Sequence, residues 1–377
     1  MSRIFGDAST FSKMPNQWPS GFAKAAAFGR DHVLTDETGV EIFDTIGALG
    51  SRLYGYKYDD GGMLSMASIE EGILADLIAE KIPMAEMVRY GCNGADAVEG
   101  AIRYARNYTQ RQAVYSVGYH SCQSPFTMNT SPAYGCIQGG VKQFANFKEL
   151  IEALQWIRPK STDVAAVIIE PVMTDLQVLK ELHDIRQLTA DKGIVLIFDE
   201  IITGMRVPKY CIANWYDIKP DLLLLGKALG GGYPLSVIAG SRDIMNRAIF
   251  HSYTFAGFPL ALRAAIEILR VTSETELMDF WVRSGKFRTA FNLMDYGVKL
   301  DGYNTRGIWA GPDRLVWTFW QQMNRYGYLM GRAFFPRIDW AEGDFDQLLK
   351  TSSYVLCDIV SNGIELQGEE PRPLFRR

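Results

Sequence analysis

VAAVIIEPVMTDLQVLKELHDIRQLTADKGIVLIFDE, from Val164 to Glu200, sets two wholly apolar, β-branched runs on either side of a segment whose apolar residues recur at helical spacing. A strand that is apolar at every position is covered on both faces, and a helix joining two such strands makes a parallel pair. The same alternation extends outward. MVRYG from Met87 and AVYSV from Ala113 read as strands with AVEGAIRYARNY from Ala97 as the helix between them, and LLLLG from Leu222 is a fifth apolar run. The expected architecture is α/β, a mostly parallel sheet that binds ligands at the carboxyl ends of its strands.

On the amino-terminal side, HVLTDETGVEIFDTIG from His32 reads as a hairpin turning at Asp36 to Gly39, and SMASIEEGILADLIAEK from Ser65 reads as a helix. Beyond Gly240 the pattern changes to longer helices, PLALRAAIEILRVTSE from Pro259 and a run around Phe280 to Met294, followed by mixed short elements. A chain of 377 residues has room for two units and a lead-in segment. The division drawn is 1–60, an N-terminal segment packing with the small domain, 61–240, a large ligand-binding domain, and 241–377, a small C-terminal domain. GEEPRPLFRR at the end reads as an extended strap.

Lys and Arg number 39 against 43 Asp and Glu, a formal charge of -4, so the chain carries no basic field for a nucleic acid or an anionic membrane. A small-molecule partner is expected instead. The five cysteines, at 92, 122, 136, 211 and 357, form no CxxC pair, and the four histidines are scattered. Reduced thiols and no metal are expected. The opening residues lack the apolar core of a signal peptide, and no run of about 18 apolar residues occurs, which points to the cytoplasm.

Three strand ends carry polar residues where such a sheet binds. Asp199 leaves the apolar run Ile194 to Phe198, and a carboxylate there needs a cation or a hydrogen-bond donor. Lys227 follows four leucines and precedes a glycine triplet. Desolvation there lowers an ammonium pKa and makes a carbonyl-seeking amine, although a surface lysine at a strand exit fits the local string as well. Asn93, Gly94 and Ala95 join the strand at Met87 to the next helix, a seat for an anion or simply a cap. Together a phosphate seat, a buried carboxylate and a desolvated lysine match what pyridoxal 5'-phosphate requires.

The strings IIEPV (Ile168 to Val172), IFDEIITGMR (Ile197 to Arg206), PDLLLLGKALGGGYPLSVIAGSRDIM (Pro220 to Met245) and YTFAGFPLA (Tyr253 to Ala261) resemble, in order and spacing, class III aminotransferases of fold type I, in the glutamate-1-semialdehyde aminomutase branch. The likeness extends to TFSKMPNQWP near the start and FWQQMNRYGYLMG near the end. It implies a large domain on a mostly parallel seven-stranded sheet and a smaller α+β C-terminal domain. It also implies that Lys227 is the Schiff-base lysine and proton shuttle, that Asp199 pairs with the pyridine nitrogen, and that Ile201 packs under one ring face. Tyr119 resembles the aromatic on the other face, with His120 beside it; the plainer reading is a loop aromatic on the core. Gly94 and Ala95 match the phosphate positions, with Ala95 in place of the usual hydroxyl residue. Glu170 resembles the glutamate of the EPV segment near the cofactor. Thr254 resembles the threonine that reaches the neighbouring subunit's phosphate, implying a homodimer; the alternative is a helix cap before Pro259. Arg206 stands in the family's TGxR string, where a structural role fits equally.

The core residues are shared by transaminases and aminomutases. The substrate side departs from the aminomutase pattern: Gly47-Ala48-Leu49-Gly50 lacks a tryptophan, Lys24 is merely the nearest cation to the expected arginine, and EPVMTD ends at Asp175. These departures favour amino transfer between an amine or amino acid and a carbonyl acceptor, with intramolecular transfer as the alternative. A non-catalytic homologue is the third reading.

Overall fold

A computed structural model describes residues 3–4, 7–9, 25–30, 33–43, 62–123, 126, 139–158, 163–173 and 177–368. The apolar runs become one seven-stranded sheet in the order β4-β10-β9-β8-β7-β5-β6. Its strands are β4 (Met87–Gly91), β5 (Ala113–Val117), β6 (Val141–Gln143), β7 (Val164–Ile169), β8 (Val195–Asp199), β9 (Leu222–Gly226) and β10 (Ser236–Gly240). All run parallel except β10, which is antiparallel to both of its neighbours.

Alternation along each strand explains why the runs are apolar throughout. Leu196 and Phe198 of β8 enter one core with Val167, Ile169, Leu223 and Leu225. Val195 and Ile197 enter the opposite one with Ala166, Ile168, Leu222 and Leu224. Each buried aliphatic side chain contributes about 1.5–3 kcal/mol, so polarity at any of these positions is costly on either face.

Helices α1 (Ile69–Lys81), α2 (Gly94–Thr109), α3 (Phe147–Gln155) and α4 (Leu179–Lys192) cover the sheet, α2 on one face and α1, α3 and α4 on the other. The first begins at Ile69 and not at Ser65, because Ser68 is extended and bridges to Ala26. Helix α5 (Pro259–Val271) packs on α1 and sends Ala261, Leu262, Ala265 and Leu269 into the first core, although it lies beyond Ser241.

A separate core joins α6 (Glu274–Leu293), α7 (Asp313–Arg325) and α8 (Glu342–Asn362) to an antiparallel sheet of β11 (Lys299–Tyr303), β12 (Arg306–Ala310) and β13 (Ala333–Phe334). Phe291, Trp309 and Phe319 meet at its centre, with Phe291 edge-on to Trp309 at 4.9 Å between ring centroids.

Near the N-terminus, β1 (Ala26–Arg30), β2 (Val33–Asp36) and β3 (Glu41–Phe43) form an antiparallel meander. Its expected turn holds because Asp36 Oδ1 accepts from Thr38 N, Thr38 Oγ1 and Val40 N, each at 2.8 Å. The pairings found here are with the large unit: Ala26 N donates to Ala67 O at 2.8 Å, and Ile4 bridges to Val88 beside β4. The C-terminal strap from 369 onward, the string Thr10 to Pro19, Lys24, the 47–50 turn, Cys136 and Asp175 lie outside the described residues.

Candidate active site

The parallel strands deliver their carboxyl ends to one edge of the sheet, where the sequence-predicted residues gather. Gly94 and Ala95 follow β4, Tyr119 and His120 follow β5, Glu170 follows β7, Asp199 ends β8 and Lys227 follows β9. Strand β10 runs the other way, so its first residue, Ser236, lies opposite both Gly91 and Gly226.

Ile201 ties three of these exits together. A Cβ on Gly94 would stand 2.8 Å from Ile201 Cδ1, and one on Gly226 would stand 3.6 Å from Ile201 Cγ2. Gly94 therefore has no room for a side chain unless Ile201 yields.

At the β4 exit, Asn93 caps α2 through its Oδ1, which accepts from Asp96 N at 3.2 Å. The Asp96 carboxylate reaches back to Cys92 N at 2.8 Å and Asn93 N at 3.2 Å. The cap reading holds, and the Gly94 and Ala95 N–H groups have no acceptor among the described residues. Two amides at a helix start form an anion seat.

Asp199 is buried, and the group that meets it is His120. His120 Nδ1 lies 2.9 Å from Asp199 Oδ2, while Asp199 Oδ1 accepts from Ile201 N at 3.2 Å. The second ring nitrogen, Nε2, faces the Val117 carbonyl at 3.0 Å. A carbonyl only accepts, so Nε2 carries hydrogen, and the Nδ1 contact with a carboxyl group carries a second one. Phe126 stands edge-on to the imidazole at 5.8 Å between ring centroids.

Glu200, next in the chain, turns the other way. It is fully buried and accepts from Ile212 N at 2.6 Å, Ala213 N at 2.8 Å and Thr203 Oγ1 at 2.7 Å, bracing the loop below the site. Burial pushes its carboxyl up to about 7, against those three hydrogen bonds.

Lys227 opens a 3-10 turn, Lys227–Gly230, with φ at 43°, in the left-handed region that side chains other than glycine rarely adopt. The side chain opens onto solvent at the cleft. Partial enclosure nevertheless lowers its pKa, with Arg306 adding to that effect and Asp199 and Glu170 opposing it. Glu170 is buried against Gly118, where a Cβ would come within 2.9 Å of its Oε2.

Tyr119 is half-buried on the β5 exit, beside His120 in sequence. Thr254 lies in the turn before α5 and does not cap it, because that position belongs to Phe258. Arg206 is structural in this chain: its guanidinium lies over Phe335 at 4.9 Å and donates to Pro336 O at 3.1 Å.

Residues 303–306 escaped the sequence reading. Tyr303 and Arg306 are paired at the tip of the β11–β12 hairpin, which enters the cleft from the C-terminal unit. Arg306 Nη1 donates to Met173 O, three residues beyond Glu170, and Thr305 Oγ1 donates to Arg206 O at 2.5 Å.

The architecture is that of fold type I transaminases. An omega-transaminase from Sphaerobacter thermophilus superposes with a TM-score of 0.70 at 21% identity, covering 90% of this chain and 92% of that one. A β-phenylalanine aminotransferase from Variovorax paradoxus superposes with a TM-score of 0.71 at 20% identity, covering 92% and 89%. The Aminotransferase class-III family model matches residues 115–289 of this chain. Among curated relatives, a glutamate-1-semialdehyde 2,1-aminomutase from Methanococcus maripaludis is 32% identical over 284 residues, 66% of this chain. The chain spans 65% of that relative's length. One of the same name from Halobacterium salinarum is 29% identical over 314 residues, covering 75% of this chain and 70% of the relative.

Proposed function

We propose that the chain is a pyridoxal-phosphate-dependent aminotransferase, moving an amino group between an amine or amino acid and a carbonyl acceptor. The observation that carries this reading is the convergence of the Lys227 amine, the Asp199–His120 pair and the Gly94 and Ala95 amides around Ile201. The residues fit the cofactor. The two amides receive phosphate oxygens, and Asp199 keeps acceptor capacity beyond its bonds to His120 and Ile201 N. Ile201 and Tyr119 would pack against the ring, with His120 and Glu170 the other residues proposed to hold it. Bound there, pyridoxal 5'-phosphate supplies an aldehyde for an amine and a ring that draws electrons from the amine-bearing carbon.

The chain's own residues do the rest. Lys227, whose Nζ pKa is lowered by partial enclosure, would hold the cofactor through its amine and, when freed, would move a proton at the substrate carbon. Asp199, oriented by His120, would set its carboxylate against the ring nitrogen and favour a positive charge there. Thr254 is proposed to serve the neighbouring copy's phosphate in a homodimer, Ala95 having no hydroxyl to offer. The domain division is proposed at 60 and 240, with α5 reaching back into the large unit's core. Among the described residues no helix is long and apolar enough to cross a membrane. Together with the near-neutral charge balance this supports a cytoplasmic enzyme with small-molecule substrates and no nucleic-acid partner.

The names of the curated relatives favour a second reading, intramolecular transfer of the aminomutase kind. The test is a donor screen on purified protein with added cofactor. Expected are visible absorbance, borohydride fixation at Lys227 located by peptide mass, and conversion with an amine only when a carbonyl acceptor is supplied. Complete isomerisation of one substrate without an acceptor assigns the mutase reaction, and a protein that ignores the cofactor overturns both readings. Lys227→Ala should abolish multiple turnover.

A further inference from the structure

We propose that Arg306, with the Tyr303 hydroxyl beside it, anchors a carboxylate of the substrate, so that the site selects amino acids over simple amines. The inference rests on the amino-transfer reading above and names its substrate class.

The hairpin tip is held in place from three sides, each contact using a different residue. Asn304 Nδ2 donates to Trp281 O at 3.1 Å, Thr305 Oγ1 donates to Arg206 O at 2.5 Å, and the Tyr303 ring stacks on Trp281 at 6.1 Å between centroids. What the tip presents is therefore pre-set before any ligand arrives. It presents two polar groups that no described residue satisfies: Tyr303 is 0% exposed with its hydroxyl unpartnered, and Arg306 Nε is buried without an acceptor.

Arg306 has a hydrogen bond from Nη1 to the Met173 carbonyl, and among the described residues no carboxylate pairs with it. A half-buried guanidinium satisfied only by one carbonyl has given up water without gaining an anion. Its planar fork suits a carboxylate, and a tyrosine hydroxyl adds one further donor. The Asp199 carboxylate of the cleft is already held by His120 and Ile201 N. Arg306 also shares the cleft electrostatically with Lys227, so a ligand whose amine meets Lys227 offers its far end to Arg306.

Two experiments separate this from a merely structural hairpin. In calorimetry on the holoenzyme, succinate is expected to bind the wild type saturably, to bind Arg306→Gln about 100-fold more weakly, and to recover partly with Arg306→Lys. No saturable binding to the wild type, or equal binding to Arg306→Gln, overturns the proposal. In the second, half-conversion of the cofactor spectrum is followed with L-alanine and with isopropylamine, which differ only in carboxylate against methyl. Arg306→Gln should raise the concentration needed for L-alanine about 100-fold and that for isopropylamine less than twofold, with Tyr303→Phe giving a smaller shift of the same kind. An equal loss for both amines makes Arg306 structural and sinks the inference while leaving amino transfer intact. Succinate binding that depends on Arg306, in a protein whose cofactor no amine converts, upholds the anchor and sinks the proposed function.

Discussion

His120 Nδ1 stands 2.9 Å from Asp199 Oδ2, while Nε2 of the same ring is held at 3.0 Å by the Val117 carbonyl. The imidazole is thus locked in orientation from behind, and the carboxylate it meets keeps one side for the cleft. His120→Phe should leave the fold intact and weaken cofactor binding about 10- to 100-fold, the worth of one charge-assisted hydrogen bond. A pH titration of the bound cofactor's visible absorbance should shift its midpoint, and an unchanged midpoint removes the positioning role.

The charges around Lys227 have opposite effects that can be separated. Asp199 and Glu170 raise its pKa, whereas enclosure and Arg306 lower it. Glu170→Gln should therefore move the pH midpoint for aldehyde capture by Lys227 downward, and Arg306→Gln should move it upward. The measurement is labelling of Lys227 against pH, read by peptide mass; shifts of the same sign in both variants would refute the arrangement.

Glu200 makes stability fall with rising pH. Its carboxyl goes from 4.5 as the ordinary value to about 7 in the folded chain, so the folded state binds more protons between those values. The stability from this group is full below pH 4.5 and declines as pH rises through about 7, by up to about 3 kcal/mol. Urea melts of Glu200→Gln should show a flatter dependence over that window than the wild type. Parallel curves would mean that Glu200 is not the titrating group.

Gly94→Ala tests the shared side chain at the strand exits. The new Cβ falls 2.8 Å from Ile201 Cδ1, so Ile201, the residue proposed to pack on the ring, must shift. Cofactor affinity should drop about 10-fold or more, and Ile201→Val, which removes that Cδ1, should restore most of it in the double variant. A double variant no better than Gly94→Ala alone would place the damage in the helix start.

Most of the large unit could be read from sequence because its strands are buried on both faces, and a run such as Leu222 to Leu225 admits little else. SVIAG from Ser236 was passed over. It follows a glycine triplet and Pro234, which signal a loop, and only its antiparallel partners β4 and β9 make it a strand. The three-residue β6 carries no periodicity at all. At the site, Asp199 advertised its need for a partner by ending an apolar strand, but the partner is 79 residues away and its pairing follows from the β5 exit lying near β8. Tyr303 and Arg306 gave no signal, since a hairpin of mixed polarity reads the same whether its tip faces water or a cleft.

The contacts of Thr305 and Asn304 make the C-terminal unit more than a lid on the reactive amine. On the proposed reading, one half of the molecule carries the Lys227 amine, and the other supplies a wall of the cleft beside it. New substrate preferences could therefore arise by editing four consecutive residues, 303 to 306, without disturbing a single strand of the large sheet.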